Sequence, residues 1–309
     1  MFQTNLALAW NASGHQLMAA ISWDMLSNEQ QNYWVDILKQ HPRFGKDFKN
    51  RTPRYVKQNP KALNEWIFRQ AATWPDLARG FHKNEKDKYH HGSWHYINYP
   101  IYLNKKIDTN FLNLNTEFEN KLHNGLNIVQ ALKGNIKILS KKGATKKEKA
   151  IALSWVLHLV GDTHQPLHST ALFSNQYFMY GDRGGNMVKI SGQGRSDNLH
   201  WYWDSTLNNT VSFKIIDLKA KNFLKRHKKR AIESKNTSIN QWLINANEVA
   251  KKYAYPKQLI ETLKTAEMQN KEQPVIYISN SYNKQARRVA GLQIVEASYK
   301  LIEILKVIK

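Results

Sequence analysis

The chain has 309 residues, 41% hydrophobic and 11% aromatic, which suits a globular protein with a sizeable buried core. Its 46 Lys and Arg against 24 Asp and Glu leave +22 at pH 7, a field that favours polyanions, nucleic acid before acidic membrane surface. Cysteine is absent, which excludes disulfides and thiolate metal ligands, and no stretch is long and apolar enough to span a membrane.

Residues 1–9 lack a basic start and are too short for a complete secretory signal. Yet Ala7-Leu8-Ala9 has the small-x-small form of a cleavage site just before Trp10. They read as the remnant of a signal peptide, with an ordinary frayed N-terminus as the alternative. Further on, Ser27 to Gln30 forms a capping box for a helix towards Lys39, and Asn59-Pro60 starts another with Pro at its first position. Thr73-Trp74-Pro75-Asp76 repeats that start signal, so Asp76 and Arg79 are expected in the first turns of a short helix. About Phe118 to Ser140 reads as helical. Thr145 and Glu148 then box the start of a helix whose Ile151, Leu153, Trp155, Val156, Leu159 and Val160 are apolar. The glycine-rich stretch Ala171 to Arg195 is expected to be loop, with a small strand or hairpin near Met187-Val188-Lys189-Ile190. Asp197-Asn198 can cap a helix holding His200 and Asp204, and Ser238 opens one to about Tyr253. The last helix, near Ser281 to Ile308, aligns Val289, Leu292, Val295, Tyr299 and Ile302 as a core stripe. The run from Lys219 to Arg230 reads as a solvated face that could steer polyanions, although it has little aromatic interleaving. With no repeat, low-complexity tract or linker, the expectation is one mainly all-α domain over 10–309.

Chemistry concentrates in His158-Leu-Val-Gly-Asp162-Thr-His164-Gln-Pro166-Leu-His168, at the end of the Thr145 helix. His158 and Asp162, four apart, share one helix face within reach of one cation. Pro166 disfavours helix in the residue before it, so His168 leaves in a new direction. A single His on a helix is ordinarily a core or surface residue. Three His and an Asp within eleven residues on an apolar helix are costly unless paired or coordinated, and point to a metal site.

Other pieces lie around this stretch. Trp10-Asn-Ala-Ser-Gly14-His15 stands where cleavage would free an α-amine, and Asp76 precedes Arg79 by three. Trp94-His95-Tyr96-Ile97-Asn98 follows, then Gly-Asp-x-Gly-Gly-Asn at Gly181 to Asn186, and His200-x3-Asp204. In this order they resemble the zinc-dependent nuclease I family, which includes fungal single-strand-specific and plant bifunctional nucleases and is related in fold to bacterial zinc phospholipase C. The resemblance runs from Trp10 to about Asp204, and more loosely through the C-terminal helices.

The resemblance implies a helical domain of the zinc phospholipase C and single-strand nuclease type holding three zinc ions. One would be bound by Asp76, His95, His158 and Asp162. Asp162 would bridge to a second, which also takes His15 and the amine and carbonyl oxygen of Trp10. His168, His200 and Asp204 would bind the third. The implied activity is a secreted or periplasmic endonuclease that cleaves single-stranded RNA and DNA to 5′-phosphate products through a metal-activated water, with 3′-nucleotidase activity on nucleotides and no stable protein partner. Tyr96 would stack on a base. Asn98 stands where fungal members carry Asp for the base edge, so base preference does not transfer.

Arg79, one turn from Asp76, is the candidate phosphate clamp, with a structural ion pair as its alternative. Asn198 is a candidate hydrogen-bond donor beside His200, or simply a helix cap. His41, His82, His90, His91, His123 and His227 match no ligand position and default to solvated or capping roles, and His164 to a supporting one. Two rival functions stand against the nuclease. Zinc phospholipase C is opposed by Asp204, where that branch ends in Glu, and by the short gap from Trp10 to His15. A nucleic-acid-binding protein with purely structural zinc leaves carboxylate-rich, cysteine-free sites unexplained.

Overall fold

Capping explains where most helices begin in this computed structural model, which describes residues 10–118, 120–192, 197–207, 210–233 and 237–308. The expected leader remnant, residues 1–9, lies outside them, as does Arg195 at the end of the glycine-rich stretch. The first helices are α1 (Ala12–Trp23), α2 (Asn28–Leu38), α3 (Arg54–Lys57), α4 (Pro60–Ala78) and α5 (Lys83–Tyr89). Next come α6 (Ile128–Ser140), α7 (Lys146–Asp162), α8 (Leu199–Ser205) and α9 (Phe213–Glu233). The chain ends with α10 (Ile239–Val249), α11 (Lys257–Met268) and α12 (Asn280–Ile308). Mainly helical architecture is therefore the observed class. The capping boxes of α2 and α7 form as expected, with Glu148 accepting from the Thr145 amide at 2.7 Å.

α7 occupies the middle of the larger core. From Ala152 to Asp162 every residue is buried, and α1, α2, α4, α6 and α12 pack around it. A helix covered on all sides has no face that water could keep polar, so its His158 and Asp162 must be satisfied inside the protein. A smaller second core gathers Leu167, Phe178, Val188, Trp203 and Tyr255, beneath α8, α11 and the start of α12. On the stripe of α12, Val289, Val295, Tyr299 and Ile302 pack into or against the two cores and Leu292 is buried, as the spacing predicts.

Two expectations need correction. Thr73-Trp74-Pro75-Asp76 does not begin a helix; Pro75 sits inside the last turn of α4. The Thr73 hydroxyl donates back to the Gln70 carbonyl at 2.9 Å and so caps no amide, and Arg79 is the C-cap. The helix expected from Phe118 begins only at Ile128, where Asn127 and Gln130 make their own capping box. Phe118 and Leu122 instead fold back as loop residues over Gly134, where a Cβ would meet them at 2.8 and 2.6 Å. The glycine-rich stretch does hold the expected small strand, at Ile190–Ser191, and Lys189 bridges antiparallel to Asn198. Strands β1 (Tyr99–Tyr102) and β2 (Thr170–Phe173) pair in parallel, as do β3 (Ile190–Ser191) and β4 (Ile276–Tyr277). Each partner is remote in sequence, which local spacing does not reveal.

Candidate metal centre

Local geometry assembles the candidate ligands from four directions. The β1–β2 register (Tyr99 opposite Thr170) brings the segments just before the two strands together. The Ile97 amide donates to the His168 carbonyl at 2.9 Å, and His168 Nδ1 donates to the His95 carbonyl at 2.6 Å. From below, α7 presents His158 and Asp162. The N-terminal segment closes one side: the Trp10 indole donates to the Gly161 carbonyl at 3.1 Å, and the Asn11 amide to the Asp204 carbonyl at 3.2 Å. α8 supplies His200 and Asp204.

All these side chains except Asp76 are buried, and their polar atoms converge. Asp162 faces His15 Nε2 at 3.2 Å, His158 Nε2 at 3.2 Å and His95 Nδ1 at 3.0 Å. His158 Nε2 also lies 3.8 Å from Asp76 and 3.0 Å from His95 Nδ1. The His15 and His158 rings stack with centroids 4.0 Å apart. Beside them, His200 Nε2 lies 3.4 Å from Asp204, and the rings of His168 and His200 are 5.0 Å apart. Three sets of atoms could each hold a metal ion: His15, His158 and Asp162; Asp76, His95 and His158; His168, His200 and Asp204. Every predicted ligand side chain except that of Trp10 is in these sets. Trp10 is fully buried beside them.

Hydrogen bonds decide which ring nitrogens keep a lone pair. A carbonyl only accepts, so each ring nitrogen facing one must carry the proton. His158 Nδ1 donates to the Ala72 carbonyl at 2.8 Å, His168 Nδ1 to His95, and His200 Nδ1 to Gly184 at 2.6 Å. In the neutral ring each Nε2 then keeps its lone pair, turned towards the carboxylates. Among the described residues, His168 Nε2, His200 Nε2, His95 Nε2, Asp204 Oδ2, Asp76 Oδ1 and Asp162 Oδ1 are buried without a hydrogen-bond partner. So many orphaned donors around three carboxylates would be costly in any protein lacking a cation there. The nitrogen and oxygen set suits zinc.

The acidities agree with surplus negative charge. Burial pushes Asp204 well above the usual carboxylate range; its Gln165 hydrogen bond opposes this, and the charges of Asp162 and Asp76 add to it. Burial pulls His158 down, but Asp162, Asp76 and its hydrogen bonds outweigh that and raise it to about 9. Asp162, although buried, is held well below the usual range by His158 and His168 and by its hydrogen bonds. Burial lowers His15 to about 4 and His200 to about 3, assisted by His158 and His168 respectively. A metal binds neutral imidazole and ionised carboxylate, so its binding would drive the proton from His158 and from Asp204.

Among the remaining candidates, Arg79 lies 3.8 Å from Asp76 and its charge acts on His200 and Asp204. Tyr96 is 42% exposed directly after His95, and Asn98 is half-buried. Asn198 is occupied otherwise than as a donor to the centre: its Oδ1 accepts from the Trp201 amide at 2.8 Å and its Nδ2 donates to Asp197 at 3.1 Å. It caps α8 and so holds His200 in place. His164 turns away from the centre, bonding the Val160 carbonyl at 2.9 Å, with its ring near Trp242. Of the solvated or capping roles expected for His41, the second fits: it is buried edge-on against Trp74 at 4.3 Å, and its Nδ1 accepts from the Arg43 amide at 3.2 Å.

Three supporting residues were not singled out from sequence. Gln165 donates to Asp204 Oδ1 at 2.6 Å and accepts from the Leu167 amide at 2.6 Å. Gly161 leaves room for His15, whose Nδ1 a Cβ there would meet at 2.8 Å. Gly184 has φ +61°, and a Cβ on it would lie 2.4 Å from the Leu167 carbonyl oxygen. A glycine inside a helix was the readable sign at Gly161. The Gly-Asp-x-Gly-Gly-Asn motif was noticed, but its work of receiving His200 through the Gly184 carbonyl was not evident.

Comparison with known proteins follows this geometry. A family profile described as S1/P1 nuclease matches residues 10–309. Nuclease S1 of Aspergillus oryzae (strain ATCC 42149 / RIB 40) is 36% identical over 73 residues, 24% of this chain and 21% of that protein. Endonuclease 2 of Arabidopsis thaliana is 29% identical over 91 residues, 29% of each chain. Nuclease P1 of Penicillium citrinum is 29% identical over 93 residues, 30% of this chain and 31% of that protein. The matched stretches thus span under a third of these relatives' lengths.

Proposed function

The chain belongs to the S1/P1 nuclease family, and from that premise we propose that it is a zinc-dependent endonuclease acting on phosphodiester bonds of single-stranded RNA and DNA. Its products carry 5′-phosphates, and it also acts as a 3′-nucleotidase on nucleotides. The observation that carries this reading is the convergence of His15, His95 and His158 on buried Asp162, beside the orphaned His168, His200 and Asp204 atoms. The set is rich in carboxylate and free of sulfur, which a closed structural zinc site typically is not.

In this reading Asp76, His95, His158 and Asp162 hold one zinc. Asp162, His15 and the terminal amine and carbonyl of Trp10 hold a second, and His168, His200 and Asp204 a third. Zinc there supplies Lewis-acid charge for the phosphate oxygens and a water activated near neutral pH. The protein's own groups do the rest. His158, His168 and His200 are kept in one tautomer by the Ala72, His95 and Gly184 carbonyls, so each ring already turns Nε2 to the centre and needs no change of tautomer to bind metal. Asp162 would be shared between the first two of these metal positions. Arg79 fixes a phosphate oxygen by charge-assisted hydrogen bonding. Tyr96 stacks on a base beside the scissile phosphate, and Asn98 meets a base edge with either a donor or an acceptor. Residues before Trp10 are leader sequence removed to free its amine, 10–309 form the catalytic domain, and the enzyme works outside the cytoplasm. No helix among the described residues is long and apolar enough to cross a membrane.

The test is phosphate-ester hydrolysis of RNA, single-stranded DNA and phosphatidylcholine, with metal counted per chain. We expect cleavage of both nucleic acids, its loss with a chelator and its return with zinc. Hydrolysis of phosphatidylcholine in preference to both would replace this reading with the phospholipase one.

A further inference from the structure

Away from the metal centre, α9 and the first turns of α12 border a groove of about 700 Å³. Lys219, Arg226 and His227 line it from α9, and Lys284, Arg287 and Arg288 from α12. No carboxylate is among its lining residues. Among the described residues, none pairs with Arg226, Lys284, Arg287 or Arg288. So many cations facing one another are a standing electrostatic cost. Burial and then Arg287 pull the Lys219 ammonium below its ordinary pKa; His227 is pulled down by burial, then by Arg226, Arg288 and Arg230. A polyanion in the groove would relieve that repulsion.

Two further observations narrow the ligand. Lys219 and Arg226 are seven residues apart on one helix, so the charge extends about 10 Å along the groove, more than one phosphate group occupies. Phe223 also lines it, packed tightly on Gly291, where a Cβ would meet the ring at 2.7 Å, and stacked with His227 at 6.2 Å. Positive charge along a groove, interleaved with an aromatic ring, is how single strands are held without sequence preference. The groove is linked to the candidate centre through α8. Leu207 in its wall follows α8, and α8 is bonded to α12 through Tyr202 to Asn283 and Trp203 to Tyr282, both at 2.9 Å.

We propose that this groove is a second contact for single-stranded nucleic acid, gripping backbone phosphates at a distance from the scissile bond and seating a base against Phe223 and His227. The proposal rests on the nuclease reading and adds to it a reason for preferring long strands.

The test uses the zinc-loaded enzyme and the variant Lys284→Gln/Arg287→Gln/Arg288→Gln, with equal melting temperatures required of both. KM for a long single-stranded DNA and for a dinucleotide is measured between about 50 and 200 mM salt. Three lost phosphate contacts at about 0.7 each should flatten the polymer's salt slope by about 2, with dinucleotide kinetics unchanged. The charge-preserving variant Lys284→Arg/Arg287→Lys/Arg288→Lys should keep the wild-type slope. An unchanged polymer slope in the glutamine variant overturns the groove and leaves the nuclease reading intact. If wild type cleaves neither substrate, the nuclease reading fails on its own, and fluorescence anisotropy with a labelled single strand decides the groove. Weaker strand binding by the glutamine variant then supports it, and equal binding overturns it. Equal strand binding with lost adhesion to phosphatidylserine vesicles would assign the groove to membrane instead.

Discussion

Replacing Gly161 with Ala should remove metal from the centre while leaving the fold almost untouched. Gly161 is the next-to-last residue of α7, where Ala is favoured over Gly by at most about 1 kcal/mol. The new Cβ, however, would sit 2.8 Å from His15 Nδ1 and 3.0 Å from its Cε1. Favourable carbon contacts begin near 3.5 Å, so the ring must retreat by on the order of 0.6 Å. It has little room to do so, because His15 is fully buried and stacked on His158 at 4.0 Å. Overpacking of this kind costs about 1–3 kcal/mol, so the net loss of stability should stay below about 2 kcal/mol. A metal ligand tolerates only about 0.2 Å, and a displacement several times larger should therefore empty the site that uses His15. The measurements are a denaturant melt, metal per chain by mass spectrometry, and the rate on single-stranded DNA. We expect a small stability change, about one metal lost per chain and a rate reduced at least 100-fold. Full metal content with the wild-type rate would refute the claim that His15 is held against a metal by the gap at Gly161.

Other expectations concern separate parts of the molecule. Gln165→Ala frees Asp204 Oδ1, and metal affinity at the His168, His200 and Asp204 group should fall about 10- to 100-fold in a chelator competition; an unchanged affinity would show that Asp204 is positioned without it. Tyr96→Ala should cost nucleotide substrates about 1–3 kcal/mol in kcat/KM and spare a phosphodiester without a base, whereas equal losses would point to damage at His95 next door. Burial lowers His41 from 6.5 to about 3, with Asp47 opposing and Arg43 assisting, so the unfolded chain takes up a proton there first. Stability should drop as pH falls from 6.5 towards 3, by up to about 1.4 kcal/mol per pH unit from this residue. His41→Asn keeps an acceptor for the Arg43 amide and should flatten that slope; identical slopes in urea melts at pH 6 and pH 4.5 would contradict it.

What could be read from the sequence follows the range of the forces involved. Caps act within four residues, so Ser27, Thr145, Asn198 and Ser238 marked helix starts that the structure keeps. The same rule misled at Thr73. A hydroxyl can donate backwards as well as accept forwards, and Asn59 had already begun a helix long enough to run through Pro75. The i, i+4 pairs His158–Asp162 and His200–Asp204 were legible for the same reason: their spacing is itself the contact.

Long-range features were legible only where chemistry forced them. That Asp76, His95 and His15 would join the pair on α7 came from family likeness, because no local rule connects positions 147 residues apart. The structure supplies the physical cause in the parallel β1–β2 pairing, which sets His95 beside His168, and in Gly161, which admits His15 and receives the Trp10 indole. The basic run on α9 shows the opposite limit. Read alone it was a solvated face, and most of α9 is indeed exposed. Only when α12 sets Arg287 and Arg288 across from Arg226 does the charge lack carboxylate partners and surround an aromatic ring. A charged helix face becomes a candidate binding surface through what stands opposite it, and the sequence of that helix does not contain the opposing residues.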